Sequence, residues 1–131
     1  MKKITTLLFT ALLFCMASCN EPTHIRIMSY NVRNCTGLDH KIDYQRVADI
    51  IKAAECEAIA IQELDSMTTR YEGQDMLKNL AELTGMYPTF AASIDYMGGK
   101  YGIGMLTKEK PLSYRRVALP CRSEPRSLLI V

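Results

Sequence analysis

The sequence predicts an α/β protein that begins with a strand–helix–strand unit and continues as a mainly antiparallel meander of strands. Residues 25–64 contain an apolar stretch, a stretch with helical spacing and a second apolar stretch. After Gly85, short β-favouring runs follow one another, separated by turns that contain glycine or proline. With 131 residues, the chain is long enough for one small domain with a core.

The first unit is a predicted βαβ motif. Residues 25–33 (IRIMSYNVR) form the first strand, which we expect to be mostly buried because β-favouring residues occupy both of its faces. Apolar residues recur at helical spacing from Tyr44 to Ala54, and Asp43 is a plausible N-cap. Residues 58–64 (AIAIQEL) form a second buried strand. Strands joined by such a helix are expected to run parallel.

The rest of the chain is predicted to contain one more helix and four strands. A polar loop spans residues 65–74, and the helix that follows begins after Asp75 and ends at Gly85. The last strand ends on apolar residues with no turn or polar residue, so we expect a domain truncated at its C-terminus. The predicted strands cover residues 87–96, 101–108, 114–119 and 126–131.

The N-terminus has the pattern of an exported bacterial lipoprotein. Residues 1–18 comprise a basic start, an apolar run and small residues, as secretory signals do. Residues 16–19 (MASC) resemble a lipobox, which predicts a mature protein that starts at Cys19 and is held on a bacterial membrane by lipid on that residue. The alternative is an ordinary signal peptide cut elsewhere, or a short anchor. The sequence thus divides into a signal at 1–18 and a partial domain at 19–131.

Charge and cysteine content narrow the function classes. The net charge of +2 includes two lysines of the signal, and without them 14 basic residues balance 14 acidic ones. Binding of nucleic acid is therefore possible but not supported by charge. Beyond Cys19, the domain contains Cys35, Cys56 and Cys121 with no CxxC pair, which argues against a zinc knuckle. Either two of them form a disulfide in the exported protein, or all stay free thiols.

Two polar residues interrupt the apolar strands of the βαβ unit. Asn31 lies near the end of the first strand and Glu63 near the end of the second. Because the C-terminal ends of parallel strands share one edge of a sheet, we expect these side chains to converge there. Amide and carboxylate oxygens suit Mg²⁺, with Mn²⁺ or Ca²⁺ as further candidates. The alternative is that Asn31 caps a turn and Glu63 is a satisfied strand-end charge.

Four stretches resemble motifs of the endonuclease/exonuclease/phosphatase superfamily. IRIMSYNVR resembles its first strand motif and AIAIQELD its second, which ends in Gln-Glu. KYGIGMLTKEKPLSYRRVALP and EPRSLLIV resemble the third and fourth stretches, in the family's order. The resemblance implies the N-terminal half of a four-layer α/β sandwich. It also implies a metal-dependent hydrolase of phosphodiesters or phosphomonoesters.

The resemblance assigns roles to individual residues. Asn31 and Glu63 match the family's metal-binding, catalytic Asn and Glu. Arg126 matches an arginine that approaches the substrate phosphate in some members, although a solvated strand-edge charge is the alternative. Tyr101 lies where some members place a substrate-contacting aromatic, with packing as the other interpretation. Arg70 could face the phosphate, although a loop arginine in solvent is the simpler interpretation.

The remaining catalytic motifs of the family are absent from this sequence. The family uses a histidine at a strand end, an Asp-x-Asn motif and a final Asp-His, and neither His24 nor His40 has that context. We therefore expect this chain to be an inactive fragment of an enzyme that is monomeric at full length and whose substrate is open. The alternative is a surface-anchored binding module that has lost catalysis.

Overall fold

The computed structural model describes residues 24–131, so the predicted signal and Cys19 lie outside the described residues. Two short 3-10 segments, Arg33–Cys35 and Thr69–Tyr71, follow the first and second strands. The other elements, in chain order, are β1 (Ile27–Asn31), α1 (Tyr44–Ala54), β2 (Ala58–Ser66), α2 (Met76–Thr84), β3 (Tyr87–Tyr96), β4 (Gly99–Thr107), β5 (Arg115–Leu119) and β6 (Arg126–Ile130).

Both predicted helix starts are confirmed. The carboxylate of Asp43 accepts from Arg46 N at 2.9 Å, and that of Asp75 accepts from Lys78 N at 3.0 Å. Each bond satisfies a backbone donor that has no partner within the first turn. Helix α2 ends at Gly85, whose φ of 72° places it in the left-handed region that glycine adopts without a steric penalty.

The predicted βαβ unit is confirmed, but the order of the later strands differs from a simple meander. β1 pairs with β2 in parallel, and the four-stranded sheet has the order β1-β2-β4-β3. Because α2 carries the chain past one strand position, β3 does not pair with β2, and β4 turns back to fill the gap between them. β5 and β6 form a separate antiparallel pair instead of extending this sheet.

The core lies between the helices and one face of the four-stranded sheet. Ile59, Ile61 and Leu106 are fully buried from the sheet side, and they meet apolar residues of both helices. The helix residues buried in this core are Val47, Ala48, Ile51, Met76, Leu77, Leu80 and Ala81. Alternation along the strands directs one residue in two toward the helices, which is the pattern of a helical layer on a sheet.

The expectation that the first strand is mostly buried is wrong. β1 is shorter than predicted and alternates between exposed and half-buried residues, with Ile27 70% exposed. Met28 and Tyr30 pack against the core, whereas their neighbours point to the other side of the sheet. β1 is an edge strand, and no residue within 24–131 covers that side of it enough to bury Ile27.

The β5–β6 hairpin lies against β3. Arg116 Nε and Ser127 Oγ both donate to the carbonyl of Ala92, Ser127 at 2.9 Å. Thr89 and Ala91, which alternate with the helix-facing Phe90, are buried on the sheet's second face. Helices, sheet and hairpin therefore form successive layers of a mixed α/β fold. Among the described residues, no helix is both long and apolar enough to cross a membrane.

Candidate active site

The predicted convergence of Asn31 and Glu63 is observed. Asn31 is the last residue of β1, and its register partner on β2 is Gln62. Asn31 Nδ2 donates to Glu63 Oε1 at 2.7 Å. The parallel pairing of β1 and β2 thus brings an amide and a carboxylate into direct contact at one edge of the sheet.

Glu63 reaches this position through a β-bulge. The antiparallel register with β4 pairs Ile61 with Gly104 and Leu64 with Gly102, so two residues of β2 oppose one of β4. Glu63 itself has φ 61°, in the left-handed region that is unfavourable for a side chain larger than glycine. The bulge also returns the fully buried Leu64 to the helix side. It therefore frees Glu63 from the alternation of the strand and turns it toward the sheet edge.

A left-handed turn follows β1. Arg33, Asn34 and Cys35 all have positive φ, between 48° and 57°. Asn31 Oδ1 accepts from Arg33 N at 2.9 Å, so Asn31 caps this turn with one end of its amide while the other end contacts Glu63. Consecutive non-glycine residues in this region persist only where surrounding contacts hold them, and such segments cluster at functional sites.

Asp65 lies at the centre of a hydrogen-bond network next to the Asn31–Glu63 pair, and it was not among the site residues predicted from the sequence. Its side chain is fully buried. Asp65 Oδ1 accepts from Thr68 Oγ1 at 2.7 Å, and Oδ2 accepts from Asn34 Nδ2. Asn34 Nδ2 also donates to the carbonyl oxygen of Glu63 at 3.2 Å. The available signal was an aspartate directly after the Gln-Glu-Leu run, with a threonine and an arginine shortly downstream.

Arg70 is neither free in solvent nor directed at open space. It forms a forked pair with Asp65, Nε at 3.0 Å and Nη2 at 2.7 Å, and 30% of its side chain is exposed. Its guanidinium lies 4.6 Å from the ring centroid of Tyr96, 5.2 Å from that of Tyr71 and 5.5 Å from that of Tyr101. The hydrogen bonds to Asp65 raise the pKa of Arg70 above its usual value. The arginine therefore stays charged and compensates a buried carboxylate.

Tyr101 lies beside this arginine, on β4. Burial raises the pKa of the Tyr101 hydroxyl, and the nearby charge of Glu63 adds to the effect. A pocket of about 190 Å³ adjoins it, lined by Asn34, Arg70, Ile94, Tyr96, Tyr101 and Glu124. The structure thus brings two predicted substrate residues, Tyr101 and Arg70, to one pocket, and Asn34 in its lining donates to the carbonyl of Glu63.

Arg126 is not part of that lining. It begins β6, and its Nη1 lies 2.6 Å from Glu124 Oε1, with 61% of its side chain exposed. Glu124 in turn lines the pocket. Arg126 therefore contacts a residue of the pocket lining but does not line the pocket itself. Its contact with a substrate phosphate stays a prediction.

The donor types of Asn31 and Glu63 fit a hard divalent cation. Glu63 Oε1 accepts from Asn31, while Oε2 accepts no hydrogen bond from residues 24–131 and keeps its lone pairs for a cation. No group of three or more His, Cys, Asp or Glu side chains in this range is placed to hold a metal. Amide and carboxylate oxygens are ligands that Mg²⁺ accepts, and this ion often takes one or two protein oxygens and fills its other positions with water and phosphate.

A larger pocket, of about 540 Å³, lies at the opposite ends of β1 and β2. Its lining includes Arg26, Glu55, Glu57 and Lys108, which are paired with one another through ion pairs or hydrogen bonds. The hydrogen bond from the backbone of Arg26 lowers the pKa of Glu57. These four charged groups compensate one another, and the pocket is at the other end of the strands from the Asn31–Glu63 pair.

Solved structures share this fold, among them the following two. The chain matches an endonuclease/exonuclease/phosphatase from Beutenbergia cavernae DSM 12333 with a TM-score of 0.62 and 18% identity, over 80% of this chain and 33% of that one. It matches an endonuclease/exonuclease/phosphatase family protein from Leptotrichia buccalis C-1013-b with a TM-score of 0.63 and 14% identity, over 81% and 47%. No protein-family model and no curated protein matches the sequence.

At these identities the likeness shows the fold. The mixed α/β arrangement of one sheet and two helices is that of the endonuclease/exonuclease/phosphatase structures, which confirms the predicted fold class. The chain spans between a third and about half of the length of these two structures.

Proposed function

We propose that this chain carries the metal-binding half of a divalent-metal-dependent phosphoester hydrolase. The observation that carries the proposal is the 2.7 Å contact between Asn31 and Glu63, at the edge where two parallel strands end. Open α/β sheets bind their ligands at this edge. The likeness of the fold to two endonuclease/exonuclease/phosphatase structures supports the same class of reaction.

The proposed division of labour follows from the chemistry of each side chain. Asn31 and Glu63 would hold Mg²⁺, with Mn²⁺ or Ca²⁺ as alternatives, through Glu63 Oε2 and Asn31 Oδ1, once the Asn31 amide turns its oxygen from Arg33 N toward Glu63. The bound cation supplies compensation for the negative charge of the phosphate oxygens. Tyr101 presents a hydroxyl and Arg70 part of a cationic surface to the adjoining pocket, where they would contact the substrate. Arg126 would add a second cationic group if its pair with Glu124 opened.

Catalysis needs groups that are not found together at this site within residues 24–131. Hydrolysis requires a base that activates water and an acid that assists the leaving group. His24 lines the distant pocket, and His40 lies in the loop before α1. We therefore propose that the active protein is longer than this chain, in line with the partial span of the matched structures, and that the chain alone does not turn over.

The test is hydrolysis of bis-p-nitrophenyl phosphate and p-nitrophenyl phosphate with Mg²⁺ or Mn²⁺. We expect no turnover by the 131-residue chain and metal-dependent turnover by a form extended with the downstream reading frame. Glu63→Gln should abolish that turnover, whereas Glu82→Gln, on the exposed side of α2, should leave it intact. An extended form that is inactive on both esters, or active without Glu63, would contradict the proposal. If the protein exists only as this 131-residue chain, and the chain folds and binds a phosphoester without hydrolysing it, the binding module would be favoured.

We also propose that the protein is exported and anchored through lipid on Cys19. The basic start, the apolar run and the small-residue motif before Cys19 support this placement. Metabolic labelling with a radioactive fatty acid should mark the protein, and Cys19→Ser should remove the label. Labelling that survives Cys19→Ser would contradict the anchor.

A further inference from the structure

The backbone around the Asn31–Glu63 pair is held in conformations that need outside support. Glu63 occupies the left-handed region at φ 61°, and Asn34 does so at φ 54° within the turn after β1. This region is unfavourable for a glutamate and is tolerated better by an asparagine, so Glu63 in particular needs contacts that fix it. Glu63 is itself one of the pair, and Asn34 lies three residues after Asn31 and donates to the Glu63 carbonyl, so a small backbone change at either position would move a proposed metal ligand.

A single buried carboxylate joins the two segments. Asp65 Oδ2 accepts from Asn34 Nδ2, and that same nitrogen donates to the carbonyl of Glu63 at 3.2 Å. The side chain of Asn34 therefore bridges the bulge of β2 to a carboxylate two residues further along the strand. The left-handed turn and the bulge are tied together at Asn34.

The rest of the Asp65 environment keeps this carboxylate in place and compensated. Thr68 Oγ1 donates to Oδ1 at 2.7 Å, and the guanidinium of Arg70 donates to both oxygens. Tyr71, Tyr96 and Tyr101 surround the guanidinium. With its oxygens used and its charge compensated, Asp65 does not compete with Glu63 for a cation, although the two are close in sequence.

We propose that Asp65 is a positioning residue that, through Asn34, sets the geometry of the Asn31–Glu63 pair, while Arg70 compensates its charge. The expected effect on metal affinity rests on the proposed function. The expected effect on the geometry of the pair does not, because it concerns the metal-free protein. Groups behind metal ligands orient them, and their removal commonly weakens metal binding by about 10- to 100-fold.

The first experiment measures Mn²⁺ affinity by electron paramagnetic resonance for the wild-type chain and for Asp65→Asn. Asparagine keeps the shape of the side chain but directs an NH₂ group at Asn34 or Arg70, which are both donors. We expect about tenfold weaker Mn²⁺ binding at a temperature where circular dichroism shows the variant folded. Asp43→Ala is the matched control, since it removes the N-cap bond to Arg46 and should reduce stability with no change in Mn²⁺ affinity.

A second variant covers the case in which Asp65→Asn does not fold. Asn34→Gly preserves the left-handed backbone, because glycine adopts it freely, and removes the hydrogen bonds to Asp65 and Glu63. It should also weaken Mn²⁺ binding by about tenfold. If folded Asp65→Asn or Asn34→Gly binds Mn²⁺ as the wild type does, the positioning role is wrong.

A metal-free measurement separates this inference from the proposed function. In ¹H–¹⁵N spectra of the apo-protein, Asp65→Asn should shift the side-chain amide signals of Asn31 and Asn34 and the backbone amide signal of Glu63. Asp43→Ala should leave all three in place. If the wild-type chain binds no Mn²⁺ while these signals shift as expected, the proposed function fails and the positioning role stands. If the signals of Asn31 and Glu63 do not move, the positioning role fails whatever the metal result.

Discussion

The side-chain amide of Asn31 donates to the carboxylate of Glu63 across 2.7 Å, between residues that are 32 positions apart in the sequence. The contact depends on parallel pairing of β1 with β2 and on a bulge that turns Glu63 toward the strand end. The pair is therefore a product of tertiary structure, and its chemistry can be tested by changing either partner.

Asn31→Asp should place two carboxylates in contact and make the fold depend on metal and pH. The like charge raises the pKa of the folded carboxyl group above its unfolded value of about 4, so the penalty is present at pH 7. It should shrink as the pH falls through the raised folded pKa. We expect a loss of about 1 kcal/mol at pH 7.5. Thermal melts at pH 5 and 7.5, with and without Mg²⁺, measure this.

Addition of Mg²⁺ at pH 7.5 should restore the melting temperature of Asn31→Asp more than it raises that of the wild type, because a cation binds between the two carboxylates. Equal stabilisation of both proteins by Mg²⁺, or no pH dependence of the loss, would show that the two side chains are not in contact.

Removal of Arg70 should destabilise the fold strongly. Arg70→Ala leaves the fully buried Asp65 without its compensating charge, and breaking such a pair costs about 3 kcal/mol. Arg126→Ala is the matched control: its pair with Glu124 has side chains 61% and 46% exposed, so the loss should be below about 1 kcal/mol. Urea unfolding at pH 7 measures both. Losses of equal size would contradict the described role of Arg70.

The three cysteines of the described residues should differ in reactivity. All three are free thiols, and Cys35 and Cys56 are buried whereas Cys121 is exposed. Burial raises the pKa of Cys35 to about 12, while a backbone hydrogen bond from Ser123 lowers that of Cys121. Since the thiolate is the reactive form, iodoacetamide at pH 8 should label Cys121 first.

Peptide mapping by mass spectrometry during this labelling should show that, of these three cysteines, only Cys121 is modified rapidly in the native protein. The same reaction in about 8 M urea, which exceeds ordinary unfolding midpoints, should label Cys35, Cys56 and Cys121 at similar rates. Native labelling of Cys35 as fast as Cys121 would mean that the turn after β1 is open.

The outer side of the β5–β6 hairpin should make the isolated chain associate. Leu119, Leu128 and Ile130 are 41%, 45% and 41% exposed there, on one face of two paired strands. Contiguous exposed apolar surface of this kind promotes association. Leu128→Lys should reduce the light scattering of concentrated samples, whereas Leu112→Lys, at a fully exposed single leucine, should not. A wild-type chain that stays monomeric at high concentration would instead favour a self-sufficient binding module.

Local signals were enough to predict much of the fold. Asp43 and Asp75 were recognised as helix starts because a short acidic residue before an apolar-periodic stretch satisfies the free donors of the first turn. The βαβ unit followed from the spacing of apolar residues, and with it the convergence of Asn31 and Glu63. These features depend on neighbours in sequence or on one general rule of chain topology.

The features that escaped prediction depend on distant contacts. Nothing in AIAIQELD marks Glu63 as a bulge residue, since the bulge exists only in its pairing with β4. Asp65 looked like the first residue of a polar loop, and its burial requires Arg70 and Asn34 to approach from separate segments. The place of β4 between β2 and β3 likewise depends on which edge is free once α2 has packed.

The central claim is tested most directly by a Mn²⁺ titration of the wild-type chain and of Glu63→Gln, followed by electron paramagnetic resonance. Glutamine preserves the size of the side chain and its ability to accept from Asn31, but it removes the charge that a divalent cation requires. We expect one saturable Mn²⁺ site in the wild type and its loss in a Glu63→Gln chain that is still folded. Equal Mn²⁺ binding by the two proteins would contradict it.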